Sequence, residues 1–234
     1  MLIQIRLFFL IFSLLCATTV NATAKDSPPV STCYGTTSHG RLDAGVKLPR
    51  SGTNFVTYSD VARMAGRTFV HSQVAEILLD TWKALETEMP GKMYKYAETG
   101  FAEGGPFAPH KTHQNGLSVD FMTPVINKEG ESVHLPTYPW TRFGYDLEFD
   151  QQGRLGDLTI DYDALAAHIV MLDRTAKAMG VGLWRVIFAP ELQAGLFATR
   201  YGDYIRSNIQ LSTRRSWVRH DEHYHVDFDI PCQK

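Results

Sequence analysis

Two stretches of the chain repeat hydrophobic residues at the three- and four-residue spacing of an amphipathic helix. The first repeat covers Val74 to Leu85, with His71 just before it and Met89-Pro90-Gly91 as its stop. The second covers Asp161 to Met179, and Gly180 follows it. We therefore predict two helices that pack against one core.

Shorter segments alternate or cluster β-branched and aromatic residues, which is the pattern of β-strands. They are Met93 to Ala97, Leu117 to Phe121, Val181 to Ala189 and Trp217 to Ile230. The Val181 segment is apolar enough to predict a buried strand, and Pro190 then opens a short helix to about Tyr201. This order of elements predicts an α+β fold, with a small central antiparallel sheet flanked by helices.

Two regions show no sustained period. Residues Lys25 to about Gly52 are rich in Ser, Thr, Pro and Gly, which predicts a mostly irregular arm. Residues Thr123 to Asp157 carry turn glycines and the aromatics Tyr138, Trp140, Phe143 and Tyr145. These aromatics either wall a groove or fill a small satellite core. Arg142 in the same region is suited to hold a substrate carboxylate.

The N-terminal segment differs from the rest of the 234 residues. Arg6 precedes the apolar run Leu7 to Leu15, and Ala22-Thr23-Ala24 has the small-x-small pattern of a signal-peptidase site. The run is shorter than the roughly 20 residues needed to span a bilayer. We predict a cleaved signal peptide at residues 1–24, no stable membrane insertion, and one domain over residues 25–234.

Cleavage removes Cys16 and leaves Cys33 and Cys232, which we predict to form a disulfide in an oxidising compartment. It also leaves 22 basic residues against 25 acidic ones, a net charge of −3. The mature chain has no basic run and no interleaving of basic and aromatic residues. Nucleic acid is therefore a poor candidate partner.

Three of the nine histidines fall within six positions of the segment Arg219-His220-Asp221-Glu222-His223-Tyr224-His225-Val226-Asp227-Phe228. In an extended strand, successive side chains point to opposite faces. We therefore expect Asp221, His223 and His225 to share one face, on which Asp221 orients His223. Glu222 should point away from that face.

A second cluster lies between Pro109 and Phe121, where Asn115-Gly116 is a strong turn signal between His113 and Asp120. Along an unbroken strand these two residues would lie on opposite faces and more than about 20 Å apart. The turn instead folds His113 back towards Asp120. An imidazole and a carboxylate are typical zinc ligands.

The two clusters together predict one catalytic zinc ion at the surface of the sheet. We expect His113, Asp120 and His225 to be its ligands, with His223 beside the open coordination position. Catalytic zinc usually takes three protein ligands and leaves a fourth position for water. Two nitrogens and one oxygen also favour zinc over other metals.

These motifs resemble a known family. His110-x2-His113-Gln114-x-Gly116-Leu117-x-Val119-Asp120, followed by His220-Asp221-x-His223-x-His225-Val226, resembles the penicillin-insensitive murein endopeptidases. These are zinc peptidases related to D-alanyl-D-alanine carboxypeptidases and dipeptidases. The resemblance implies a Gram-negative periplasmic enzyme that cuts D-alanyl to meso-diaminopimelyl cross-links of peptidoglycan, with diaminopimelyl to diaminopimelyl links as a second candidate bond.

The resemblance also implies roles for individual residues. They are the zinc ligands His113, Asp120 and His225, the catalytic His223, and the surrounding His110 and His220. This chain departs from the family's better-known members, which carry more disulfides, and in the stretch Asn127 to Asp161. Those departures concern substrate range and the shape of the groove.

Two other functions fit the sequence. The chain could be an L,D- or D,D-carboxypeptidase or endopeptidase that acts on uncross-linked stem peptides, which the masses of the products distinguish. It could also be a wall-binding module that zinc merely stabilises, in which case peptidoglycan binds without turnover. A purely structural zinc usually has four protein ligands, which favours the enzyme.

Overall fold

The computed structural model describes residues 30–216 and 218–234. The predicted signal peptide and Trp217 lie outside the described residues. The strands are β1 Thr32–Thr36, β2 His39–Asp43, β3 Val46–Lys47, β4 Phe55–Thr57, β5 Phe69–Val70, β6 Tyr94–Tyr96, β7 Ser118–Met122, β8 Val125–Ile126, β9 Ser132–Val133, β10 Arg154–Leu155, β11 Leu158–Ile160, β12 Gly182–Ile187 and β13 His223–Asp229. The helices are α1 Asp60–Met64, α2 Ser72–Glu88, α3 Tyr162–Ala178, α4 Gln193–Phe197 and α5 Gly202–Asn208, with 3-10 turns at Pro139–Gly144 and Pro190–Leu192.

The predicted α+β class is confirmed. The central sheet has the strand order β12-β13-β7-β6-β4 and is antiparallel except for the parallel pair β4 and β6. β7 and β13 lie in its middle, and their register places His225 directly opposite Asp120. Directly paired residues have their side chains on the same face. The two sequence clusters therefore meet on one face of the sheet.

The two predicted long helices are confirmed as α2 and α3, and they cover the other face of the sheet. The imidazole of His71 caps α2 by accepting from the backbone N–H of Gln73, and Asp161 caps α3 in the same way through Ala164. Trp82 of α2 stacks on Phe55 of β4 with the ring centroids 3.9 Å apart. This apolar layer holds the sheet rigid beneath the polar face.

The structure corrects two predictions about local structure. The described part of the predicted irregular arm from Lys25 to Gly52, residues 30–52, is not mostly irregular, because β1 and β2 form an antiparallel hairpin. The strand predicted from Val181 to Ala189 is present as β12, but it is not buried. β12 forms the edge of the sheet, and its Trp184 is 48 % exposed. An apolar run records the character of the side chains but not the position of a strand within a sheet.

The predicted disulfide between Cys33 and Cys232 is confirmed. It joins the hairpin to the segment that follows β13, and Gln233 donates its backbone N–H to the carbonyl of Cys33 as well. Residues 123–160 form a second small sheet of strand order β10-β11-β8-β9, with the 3-10 turn between β9 and β10. None of the described helices has the length and apolar character that crossing a membrane requires.

Candidate metal centre

The turn before β7 brings His113 and Asp120 together, as predicted. His113 and Gly116 adopt left-handed backbone angles, with φ of 69° and 77°. A Cβ atom at Gly116 would lie 2.7 Å from the backbone nitrogen of His71, so the turn leaves no room for a side chain there. As a result, the Nε2 atom of His113 lies 3.3 Å from Oδ1 of Asp120.

The tautomer of His113 makes this contact a candidate cation site. Its Nδ1 atom lies 3.1 Å from the carbonyl oxygen of Thr99, which can only accept, so Nδ1 carries the proton. Burial lowers the pKa of His113, which keeps the ring neutral. The buried Nε2 then presents a lone pair to a carboxylate and has no hydrogen-bond partner among the described residues. A cation between the two groups would satisfy both.

His110 lies on the other side of Asp120. Its Nδ1 atom is 3.7 Å from Oδ2 of Asp120, while its Nε2 atom is hydrogen-bonded to Glu98. The candidate ligand atoms of His110, His113 and Asp120 all lie within 4.8 Å of one another. A carboxylate on the far nitrogen of a histidine is the usual way to orient a metal ligand. His110 is therefore a candidate metal ligand, and not only a residue that surrounds the site.

Glu98 is the centre of a buried network behind His110. Its carboxylate accepts a 2.8 Å hydrogen bond from the hydroxyl of Tyr58. It also accepts hydrogen bonds from the Nε and Nη2 atoms of Arg67. Burial alone would raise the pKa of Glu98, but the hydrogen bonds from His110 and Arg67 outweigh it and bring the pKa to about 2. Glu98 is therefore ionised and can hold His110 by a charge-assisted bond.

His225 reaches Asp120 from β13. Its Nδ1 atom lies 2.8 Å from Oδ1 of Asp120, and its Nε2 atom lies 2.9 Å from Oδ1 of Asp227. Burial opposes a charge on this ring, but the two carboxylates outweigh burial and raise its pKa to about 10. A cation beside Asp120 would take the place of the proton on Nδ1. Asp227 would continue to hold Nε2 and so fix the ring.

His223 lies on the same face, but its partner is not the predicted one. Its Nδ1 atom is 2.7 Å from Oε1 of Glu222, and its Nε2 atom is 4.0 Å from Oδ2 of Asp120. The expectation that Glu222 points away is wrong. β13 begins at His223, so Glu222 lies in the preceding loop, where alternation between faces does not apply.

The same loop sets the contacts of Asp221 and the ring position of His220. The carboxylate of Asp221 accepts hydrogen bonds from the backbone N–H of Phe149 and from the guanidinium of Arg219, and not from His223. It anchors the loop to residues 123–160 instead of orienting His223 as expected. His220 has a left-handed backbone with φ of 59°, which turns its ring against that of His223 at a centroid distance of 4.6 Å.

A cavity of about 730 Å³ lies beside this group of residues. Its walls include His110, His220, His223 and His225, with Val61 and Ala62 of α1 on one side. The predicted aromatic wall is present in part, because Phe143 and Tyr145 line the cavity. The hydroxyl of Tyr145 lies 3.4 Å from Oδ2 of Asp120. The exposed Arg142 also lines the cavity and is paired with Asp146.

In a comparison with protein-family models, residues 33–234 match the penicillin-insensitive murein endopeptidases. The chain belongs to this family. Membership makes the protein a peptidase with murein as its substrate class. A search of curated protein sequences finds no match. The matched range includes both histidine clusters and the disulfide, so the candidate centre lies inside the region that defines the family.

Sequence reasoning missed several residues of this murein endopeptidase site. Glu98 follows β6 after one residue and Asp227 lies two residues after His225, yet neither stood out before the fold was known. The alternation rule does place Asp227 on the face of His225. Nothing in the sequence placed Glu98 or Arg67, because Glu98 contacts His110 from 12 positions away and Arg67 contacts Glu98 from 31 positions away.

Proposed function

We propose that the protein is a zinc-dependent murein endopeptidase of the periplasm, which hydrolyses D-alanyl to meso-diaminopimelyl cross-links of peptidoglycan. Diaminopimelyl to diaminopimelyl links are the second candidate bond. The main support is the unpartnered lone pair of His113, which faces Asp120 beside the cavity-lining residues His110 and His225. The family and the predicted signal peptide support a site of action outside the cytoplasm.

The residues present fit zinc. His113, Asp120 and His225 supply two nitrogens and one oxygen, which is a common set for catalytic zinc. His110 lies within the same cluster, so it is a second candidate for the third protein ligand. Glu98 behind His110 and Asp227 behind His225 give each candidate an orienting carboxylate. Zinc in such a site supplies a Lewis acid that polarises the scissile carbonyl and makes hydroxide available at neutral pH.

His223 is the proposed proton carrier. The carboxylate of Glu222 can only accept, so a neutral His223 keeps its proton on Nδ1 and leaves a lone pair on Nε2. Nε2 is the nitrogen near Asp120. It can take the proton of the attacking water and pass it to the leaving amine. Glu222 stabilises the imidazolium that forms between these two steps.

Tyr145 is the proposed hydrogen-bond donor to the scissile carbonyl. Its hydroxyl is beside Asp120, and its ring lies between those of His110 and His223 at centroid distances of 5.9 and 4.8 Å. A phenol is neutral at physiological pH and therefore donates. A donor preorganised where negative charge develops lowers the barrier more than it strengthens substrate binding.

The test is to incubate the mature protein with cross-linked muropeptides and to follow the products by mass spectrometry. We expect dimers to become monomers, and the activity to disappear with a chelator and return with zinc. Cleavage that survives thorough metal removal would contradict the mechanism. Removal of a terminal residue from uncross-linked stems, with dimers left intact, would instead indicate a carboxypeptidase.

The third ligand can be identified separately by measuring the zinc content of purified variants. If His225 is the ligand, His225→Ala loses zinc and His110→Ala retains it. The reverse result would assign the ligand role to His110. Because no serine acyl-enzyme forms in this mechanism, β-lactams should leave the cleavage rate unchanged.

A further inference from the structure

Two large aromatic side chains lie exposed on the loop that precedes Tyr145. Tyr138 is 51 % exposed and Trp140 is 77 % exposed. Their rings stack on each other with a centroid distance of 4.6 Å and an interplanar angle of 17°. The stack presents a flat apolar surface to solvent, and aromatic surfaces of this kind are typical of binding sites.

The stacked pair is continuous with the cavity. Pro139, between the two aromatics, lines the cavity, and so do Arg142 and Phe143. The loop is held against the body of the protein, because a Cβ at Gly144 would lie only 2.6 Å from the Cε atom of Met122. The hydroxyl of Thr141 also donates to the carbonyl of Tyr138. The aromatic surface therefore has a fixed position at the mouth of the proposed active site.

Charged groups with spare hydrogen-bonding capacity lie on the same loop. Arg142 and Asp146 are paired at 3.4 Å, and their side chains are 72 % and 48 % exposed. A guanidinium has five N–H donors and a carboxylate has about four acceptor positions, so one long contact leaves most of them free. An apolar platform beside such groups matches a sugar ring, which has an apolar C–H face and a rim of hydroxyls.

We propose that Tyr138, Trp140, Arg142 and Asp146 form a subsite for the sugar rings of the murein glycan strand. This inference rests on the proposed function, because it places the stem peptide in the adjoining cavity. A stem of a few residues spans roughly 10–15 Å when extended. Such a length allows the glycan to lie on the aromatic surface while the cross-link lies near His223.

The test compares two substrates that differ only in their sugars. One is a cross-linked muropeptide dimer with its disaccharides, and the other is the same dimer after an amidase has removed them. We expect the wild-type protein to have the higher kcat/KM on the sugar-bearing dimer, mainly through a lower KM. Trp140→Ala should reduce this preference roughly three- to tenfold, the range of one aromatic contact. Trp140→Phe should retain most of it.

Tyr138→Ala is the second variant, and Tyr34→Ala is the matched control, because Tyr34 lies on β1 and does not line this cavity. The control should keep the wild-type preference. A preference unchanged in Trp140→Ala and Tyr138→Ala, or absent from the wild type, would overturn the proposal. Binding of peptide-free glycan strands to the same proteins provides a readout without catalysis. Failure to cleave either dimer would contradict the proposed function, whereas glycan binding would still test the subsite.

Discussion

The two faces of β13 are equally buried but chemically opposite. One face presents His223, His225 and Asp227 to the candidate centre, and the other presents Tyr224 and its apolar neighbours to α3. Six of the seven residues in the strand are buried. Burial therefore does not distinguish the face that carries out chemistry from the face that stabilises the fold.

His168 and His225 show what does distinguish them. Both side chains are buried, and one lies on each side of β13. Burial lowers the pKa of His168 to about 3, and its Nδ1 is hydrogen-bonded to the hydroxyl of Tyr224 at 2.6 Å. In His225, Asp227 and Asp120 outweigh the same burial and raise the pKa to about 10. The neighbouring carboxylates decide whether a buried histidine is charged. Among the described residues, such carboxylates raise the pKa of His225, whereas burial alone sets the pKa of His168.

Removing the carboxylate of Asp120, which both His113 and His225 contact, should have the largest effect on activity. Asp120→Asn takes away the negative charge that faces His113 and His225. We expect the loss of bound zinc and a decrease in kcat/KM of at least about 10³-fold, beyond the 10–100-fold typical of an outer partner. Zinc content and muropeptide cleavage measure the two effects. Asp229→Asn, at the exposed end of the same strand, is the control and should behave like the wild type.

His168 should make the core face sensitive to acid. Its pKa is about 6.5 in an unfolded chain and about 3 in the folded protein. Between these values the unfolded state binds the extra proton, so stability falls as the pH falls from 6.5 towards 3. At pH 4.5 the loss is roughly 2–3 kcal/mol.

The measurement is urea denaturation of the metal-free protein at pH 7 and pH 4.5. His168→Gln should show a smaller decrease in the free energy of unfolding than the wild type, by roughly 2–3 kcal/mol. In the control variant His39→Gln, at an exposed position, the free energy of unfolding should decrease as much as in the wild type. An equal decrease in His168→Gln and the wild type would show that the acid sensitivity arises elsewhere.

Glu222→Gln tests whether the carboxylate of Glu222 supports the proposed catalytic role of His223. The variant should lose about 30-fold in kcat with little change in zinc content, because His223 loses the negative charge beside its Nδ1 that stabilises the imidazolium. Burial lowers the pKa of His223 and Glu222 raises it, so the acidic limb of the rate profile should move to lower pH. Glu86→Gln on the exposed side of α2 is the control. A wild-type rate profile in Glu222→Gln would remove Glu222 from the mechanism.

Asp227→Asn should have the smallest effect, since the amide oxygen can still accept a hydrogen bond from His225. We expect a roughly tenfold weaker affinity for zinc, measured by competition with a chromogenic chelator. The fold should persist, because Ser118 and Arg185 also contact this position. An unchanged affinity would mean that Asp227 stabilises the sheet and does not orient His225 as a zinc ligand.

The sequence predicted much of this arrangement because the relevant signals are local. Helical spacing identified α2 and α3, and the Asn115-Gly116 turn brought His113 back to Asp120. Alternation assigned His223 and His225 to one face of β13. It failed at Glu222, since the strand begins one residue later and the loop follows no such rule. It also failed for β12, because strand order in a sheet depends on distant pairings.

The sequence by itself determined the two histidine clusters, the elements that carry them and the pairing of Cys33 with Cys232. It did so because turn residues, strand alternation and cysteine number act over short ranges or by simple counting. Only the tertiary structure placed Glu98 behind His110, Glu222 beside His223 and the stacked aromatics at the mouth of the cavity. Glu98 and the aromatics reach the site from other parts of the chain, and the direction of Glu222 depends on the loop before β13. Burial next to a particular charge then gives each group its chemistry.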